Sequence, residues 1–232
     1  MESLKNVSWW WSIYKKIVED IGINKKSDEE ATIVAAKALQ SYGKKFDKNL
    51  EKARKIIYGK SVAVIGAHES FLEQQIPEDV IIAADGSFNG LIYTGRIPQI
   101  LVTDFDGANI NLVKRYRPVV FAHVHGDNLK RYLESVPEVI ETIVPTTQTY
   151  PFKPFYNFGG FTDGDRAVII AIYLGASKVK VYGFNITQIG KFSGLTNPET
   201  KIKKIYWAYR IIELVKRIND VEVRFVESQR IR

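Results

Sequence analysis

From Ser61 onward, short apolar runs rich in β-branched residues alternate with stretches of helical length, and this alternation limits the possible folds more than any other feature. The runs cover residues 62–65, 80–84, 100–103, 119–125, 142–144, 178–182 and 221–226. Such a pattern predicts an α/β domain: a mostly parallel sheet flanked by helices on both faces. Crossovers of helical length fall at 88–93, 128–136, 163–174 and 202–218. Residues 1–59 form an N-terminal helical segment, because 9–22, 27–43 and 47–58 repeat apolar residues every three or four positions. Gly22, Gly43 and Gly59 are read as helix stops, and Ser27 with Glu30 as a capping box. Residues 60–232 make the α/β domain. Three consecutive tryptophans, Trp9-Trp10-Trp11, cannot share one helix face, so at least one ring meets another surface. The aromatic, proline-bearing stretch 145–160 is read as an ordered loop.

Composition narrows the chemistry. The 232 residues include no Cys, which removes disulfides, thiol catalysis and Cys-ligated zinc together. Net charge is +7, from 33 Lys and Arg against 26 Asp and Glu. That excess suits nucleic acid, anionic lipid or a phosphorylated small molecule, although a solvated Lys-rich surface is the better explanation. Charged Glu2, Lys5, Lys15 and Lys16 interrupt the N-terminus, which therefore lacks a signal-peptide core. The longest uncharged apolar run, 167–177, is too short to span a bilayer, so a soluble cytoplasmic protein is expected.

The polar residues are concentrated at the ends of the predicted strands. Gly66-Ala67-His68, Ala84-Asp85-Gly86, Thr103-Asp104-Phe105-Asp106-Gly107, His125-Gly126-Asp127-Asn128 and Gly183-Phe184-Asn185 each follow one. In a parallel sheet these turns lie on one edge, where open α/β sheets bind ligands. Asp104 and Asp106, two apart, point the same way in extended chain. With Asp85 and Asp127 they form a set of carboxylates that needs a proton or a cation to coexist. Oxygen ligation by Mg²⁺, shared with substrate phosphate, is the natural solution. Asp-Gly pairs are also simply good turns. His123 and His125 alternate with Phe121, but a zinc or iron site needs further nitrogen ligands and only His68 remains. Thr162 and Asp165 read as a helix cap, with Asp163 and Arg166 beside it, and this helix start can meet ribose or phosphate. Lys191, flanked by glycines, is the preferred phosphate-binding cation. Lys201, Lys203 and Lys204 are read as a solvated face. Phe155, Tyr156, Asn157 and Phe158 could stack on and hydrogen-bond to a flat ring, although such aromatics are more often plain packing.

Taken together, the turns Ala84-Asp85-Gly86, Thr103-Asp104-Phe105-Asp106-Gly107 and His123-Val124-His125-Gly126-Asp127-Asn128, with 160–167, resemble the archaeal-type 6-hydroxymethyl-7,8-dihydropterin pyrophosphokinases, which are related to thiamine pyrophosphokinases. The resemblance covers roughly residues 60–205. It implies a thiamine pyrophosphokinase-like catalytic domain that transfers pyrophosphate from ATP to the pterin alcohol, with Mg²⁺, releasing AMP. It implies that Asp85, Asp104, Asp106 and Asp127 hold metal or its waters. It places Gly66, Asp85, Gly86, His125, Gly126, Asn128, Thr162, Asp163, Asp165 and Arg166 around the nucleotide. Asp104, Asp106 and Lys191 are then the catalytic candidates. A possible homodimer follows from the thiamine pyrophosphokinase relatives. Asn185 stands where the resemblance leads one to expect an acid. Competing readings are a thiamine pyrophosphokinase, a glycosyltransferase with an Asp-x-Asp metal site, and, outside enzymes, a nucleic-acid-binding protein. The last fits poorly, since basic residues are spread along the chain while acids fill the strand ends.

Overall fold

A computed structural model describes residues 7–194 and 197–226. Glu2 and Lys5, invoked above, lie outside them. The sheet has seven strands in the order β5-β4-β3-β2-β1-β6-β7, and every pairing is parallel. In chain order they are β1 (Ser61–Ile65), β2 (Val80–Ala84), β3 (Ile100–Thr103), β4 (Val119–Val124), β5 (Ile143–Thr147), β6 (Lys178–Tyr182) and β7 (Glu222–Phe225). The expected "mostly parallel" sheet is thus wholly parallel. Its order reverses between β1 and β6, which opens a crevice at their carboxyl ends.

Alternation along the strands assigns the two faces. Val62 and Val64 of β1 and Phe121 of β4 point into one apolar cluster. Ala63 and Ile65 of β1 and Val120 and Ala122 of β4 point into the other. Three N-terminal helices, α1 (Ser8–Ile21), α2 (Lys25–Leu39) and α3 (Gly43–Ile57), contribute to both clusters. The shorter α4 (Ser87–Tyr93), α5 (Ile110–Tyr116) and α6 (Leu129–Val139) follow β2, β3 and β4. Helix α7 (Asp163–Tyr173) is buried nearly all round, as its apolar run from Ala167 to Ile172 requires, and α8 (Pro198–Ile218) packs beside it.

Three local expectations need correction. Gly43 opens α3 with helical backbone rather than ending α2, which tightens into a 3₁₀ turn at Gln40–Tyr42. The cap of α2 is Asn24, whose side chain accepts from the Ser27 N–H at 3.2 Å, so Ser27 and Glu30 lie inside the helix. Residues 145–147 belong to β5 rather than to the following loop. Gly22 does end α1, at φ 78°. The tryptophans are packing residues. Trp10 is fully buried, stacks on Tyr14 at 5.5 Å, and donates its indole N–H to the Gln148 carbonyl at 2.9 Å.

Candidate active site

A cleft of about 420 Å³ runs along the carboxyl edge of the sheet. Its acidic part is built by the turns after β2 and β3. Asp85 and Phe105 adopt left-handed backbone, at φ 45° and 67°, a strain that non-glycine residues carry only where the surroundings enforce it. For Asp85 the enforcement is visible. Its N–H bonds the Val102 carbonyl at 2.8 Å, and its Oδ1 accepts from the Thr103 hydroxyl at 2.7 Å and from the Ala108 N–H at 3.1 Å. Thr103, fully buried, in turn accepts the Phe105 N–H at 2.8 Å. The two turns are thereby locked together. One oxygen from each of Asp85, Asp104 and Asp106 falls within 4.8 Å of the others. Two glycines leave this space open: a Cβ at Gly107 would strike the Asp85 carboxylate, and one at Gly194 the Asp106 carboxylate.

The turn after β4 fastens the opposite wall. Asn128, buried, donates to the carbonyls of His123 and Asp104 at 2.8 and 3.1 Å, and accepts the His125 N–H at 2.8 Å. It ties the β3 and β4 turns and brings His125 Nε2 to 3.3 Å from Asp104 Oδ2. His123 sits deeper. Its Nε2 accepts from Arg166 at 3.0 Å, which leaves the proton on Nδ1, facing the Thr146 hydroxyl at 3.1 Å. Burial and the Arg166 charge hold this imidazole far below its ordinary pKa, so it is neutral.

Helix α7 begins as the sequence reading expected. Thr162 and Asp165 form a reciprocal capping box, with Asp165 accepting the Phe161 and Thr162 N–H groups at 2.7 Å each. Arg166 is buried and ion-pairs with Asp163 at 2.9 Å. Thr162→Ala should lower stability by about 1 kcal/mol in urea unfolding, the usual worth of such a cap.

The carboxylates do not share one ionisation state. Burial pushes Asp106 up, and the charges of Asp104 and Asp85 add to this, reaching about 8 even though part of the residue is open to solvent. Burial also opposes ionisation of Asp104, but it is outweighed by the hydrogen bond and charge of His125 and by the Asp106 N–H, and the group is held down at about 2. Burial and the neighbouring Asp104 raise Asp163 despite Arg166. Like charges crowded in a cleft and only partly balanced by cations are a mark of a functional site.

Among the residues singled out from sequence, Gly66, Asp85, Asp104, Asp106, His125, Thr162, Asp163 and Arg166 line this cleft. Asp127 lines it too, apart from the three-carboxylate cluster. Gly86, Gly126, Asn128 and Asp165 support it from behind. A Cβ at Gly86 would strike the Phe192 backbone, and one at Gly126 the Ser27 side chain. Lys191 requires correction: it is exposed, does not line the cleft, and bonds Glu69 through its backbone N–H at 2.9 Å. Besides Arg166, the lysines that line the cleft are Lys201 and Lys204. With Ile205 and Ala208 they occupy one face of α8, a spacing of three and four that the sequence displays. The aromatics of the 155–158 stretch take the packing reading. Phe155 and Phe158 are buried in the core, Tyr156 bonds Asp47, and Asn157 donates to the Thr149 carbonyl. Asn185 lines the cleft within an amide cluster, accepting the Thr187 N–H at 2.9 Å and donating to Gln188 at 3.2 Å. Asp28 and Gln148, both lining the cleft, were not anticipated.

A family model described as 6-hydroxymethylpterin diphosphokinase MptE-like matches residues 36–190, more than half of the chain. The chain belongs to this family. Three archaeal relatives, each named 6-hydroxymethyl-7,8-dihydropterin pyrophosphokinase, extend the match over 94% of the chain. The protein of Methanothermobacter thermautotrophicus is 31% identical and covered to 98%, and that of Pyrococcus furiosus is 33% identical and covered to 96%. The protein of Methanocaldococcus jannaschii is 29% identical and covered to 98%. The MptE-like match takes in β1 to β6 and every acidic turn described above. Among the described residues, no helix is long and apolar enough to cross a membrane.

Proposed function

We propose that this MptE-like chain transfers a diphosphate group from ATP to the hydroxymethyl oxygen of 6-hydroxymethyl-7,8-dihydropterin, with Mg²⁺ held at Asp85, Asp104 and Asp106. The observation that carries the reading is the meeting of these three carboxylates in the cleft that Lys201 and Lys204 also line, in a member of this family. All three ligands offer oxygen, which suits a hard cation. Bound there, the cation would neutralise charge on the triphosphate.

The remaining work is positioning. The pterin oxygen forms a bond to the β-phosphorus while the bond from that phosphorus to the α–β bridging oxygen breaks, and AMP departs with that oxygen. The alcohol proton passes to a carboxylate or to water. Phosphoryl-type transfer needs no protein nucleophile, only in-line placement and charge neutralisation. Lys201 and Lys204 supply positive charge toward the phosphates, and Asn128 and Thr103 hold the acidic turns in register.

Incubation with ATP, Mg²⁺ and the pterin alcohol should yield AMP and the pterin diphosphate, and thiamine in its place should yield neither. Formation of ADP, or turnover with thiamine alone, would overturn the reading.

The elevated Asp106 pKa gives a pH prediction. Below about 8 the cation must displace a proton, so Mg²⁺ affinity should climb as pH rises from 6 to 8 and level off beyond, measured by calorimetry. Stability follows the same linkage. Without metal, the folded pKa of Asp106 lies above the unfolded value near ~4, so its contribution is full below that value and lost as pH rises through 8. Mg²⁺ should therefore raise Tm more at pH 8.5 than at pH 6. An equal shift at both would contradict the assignment of Asp106.

A further inference from the structure

Between β6 and α8 the chain crosses back over the sheet edge, and residues 190–194 touch three of the turns that build the cleft. At the turn after β1, the Phe192 N–H donates to the Ala67 carbonyl at 3.0 Å, and the Lys191 N–H to the Glu69 carboxylate at 2.9 Å. Gly190 lies so near this turn that a Cβ there would collide with the Ala67 carbonyl. At the turn after β2, the Phe192 carbonyl closes on Gly86. At the turn after β3, Gly194 meets Asp106, where a Cβ would strike both carboxylate oxygens. The Ser193 N–H donates to the Gly190 carbonyl at 3.1 Å, which draws the segment into one tight turn.

One side chain keys this segment to the body of the domain. Phe192 is half-buried, and its ring packs on that of Phe71 at 5.4 Å between centroids. The same ring covers Gly90 in α4, where a Cβ would meet it at 2.6 Å. Phe71 is fully buried, so the ring rests on a fixed surface. Two residues further on, Gly194 confines Asp106 from the side. Ionised Asp104 and Asp85, each with an oxygen within 4.8 Å of Asp106, repel an ionised Asp106. Contact with the Gly194 backbone supplies the confinement that charge does not.

We infer that Phe192 is a positioning residue: its ring, seated on Phe71 and Gly90, holds Gly194 against Asp106 and so keeps that carboxylate aligned with Asp85 and Asp104 for a divalent cation. The inference rests on the proposed function and names a support of its metal cluster. Phe192 acts through the backbone of its own segment, and Asp106 remains the ligand.

Calorimetric titration of Mn²⁺ into the wild-type protein and two variants tests this. Phe192→Ala should weaken Mn²⁺ binding by about 10-fold or more, the usual cost of losing a support behind a metal ligand. Gly194→Ala reaches the same carboxylate without disturbing the seat of the ring, and should weaken binding by a similar factor with Tm unchanged. A purely structural loss lowers the number of sites per chain, whereas a loosened Asp106 weakens each site. Unchanged affinity in either variant overturns the inference, and a fall in Tm with affinity intact makes Phe192 a packing residue only. If Phe192→Ala does not fold, Gly194→Ala decides the matter alone. A wild-type protein that binds no Mn²⁺ would refute the metal reading itself, and the inference with it. Wild-type binding that both variants retain in full overturns the inference and leaves the metal reading standing.

Discussion

Asp106→Asn lowers turnover by at least ~100-fold, about 2.7 kcal/mol of barrier, and leaves the protein folded. The side chain is isosteric, so the loss is of charge rather than shape. Asp106 sits against Asp104 and Asp85, and below about pH 8 the metal-free side chain is already protonated, so a neutral amide there leaves the fold intact. Asp104→Asn should cost at least as much. The one amide oxygen cannot serve both the Asp106 N–H and His125, so a small fall in Tm accompanies the substitution. Steady-state kinetics with saturating Mg²⁺, alongside circular dichroism, separates these effects. Full activity in both variants would dismiss the cluster as the seat of catalysis.

Trp10→Ala lowers stability by about 3–5 kcal/mol, the usual range for emptying a fully buried indole site. Two further losses accompany the cavity: the stack on Tyr14, and the hydrogen bond to the Gln148 carbonyl. Both neighbours also hold the buried Asp28 carboxylate, so the loss spreads beyond the cavity itself. Urea denaturation measures the effect. A loss below ~1 kcal/mol would mean that α1 is dispensable to the core.

The part of the site that was legible from sequence is local. Asp104 and Asp106 sit two apart in one turn, Thr162 and Asp165 three apart at one helix start, and strands of four to six apolar residues announce a parallel sheet. Spacing alone carries that information. Asp28 was missed because its place in the cleft wall is created by partners 98 and 120 residues away, at Gly126 and Gln148. Within α2 it is just a first-turn acid, as any helix start favours. Phe155 and Phe158 were ambiguous for the opposite reason: an aromatic ring serves a core or a ligand, and here the core clusters take both. Lys191 and Lys201 differ only in which wall their element meets. Lys201 and Lys204 share a helix face with Ile205 and Ala208, and that face closes the cleft. Reading the basic cluster by helical period would have found them.

The central claim is that the acidic turns bind a divalent cation together with the nucleotide. The most direct measurement is anomalous diffraction from crystals soaked with Mn²⁺ and a non-hydrolysable ATP analogue. The account predicts a manganese peak bonded to oxygens of Asp104 and Asp106, with Asp85 in contact with the ion or its water. Phosphate density in the cleft with manganese absent from these carboxylates, or seated elsewhere, would contradict it.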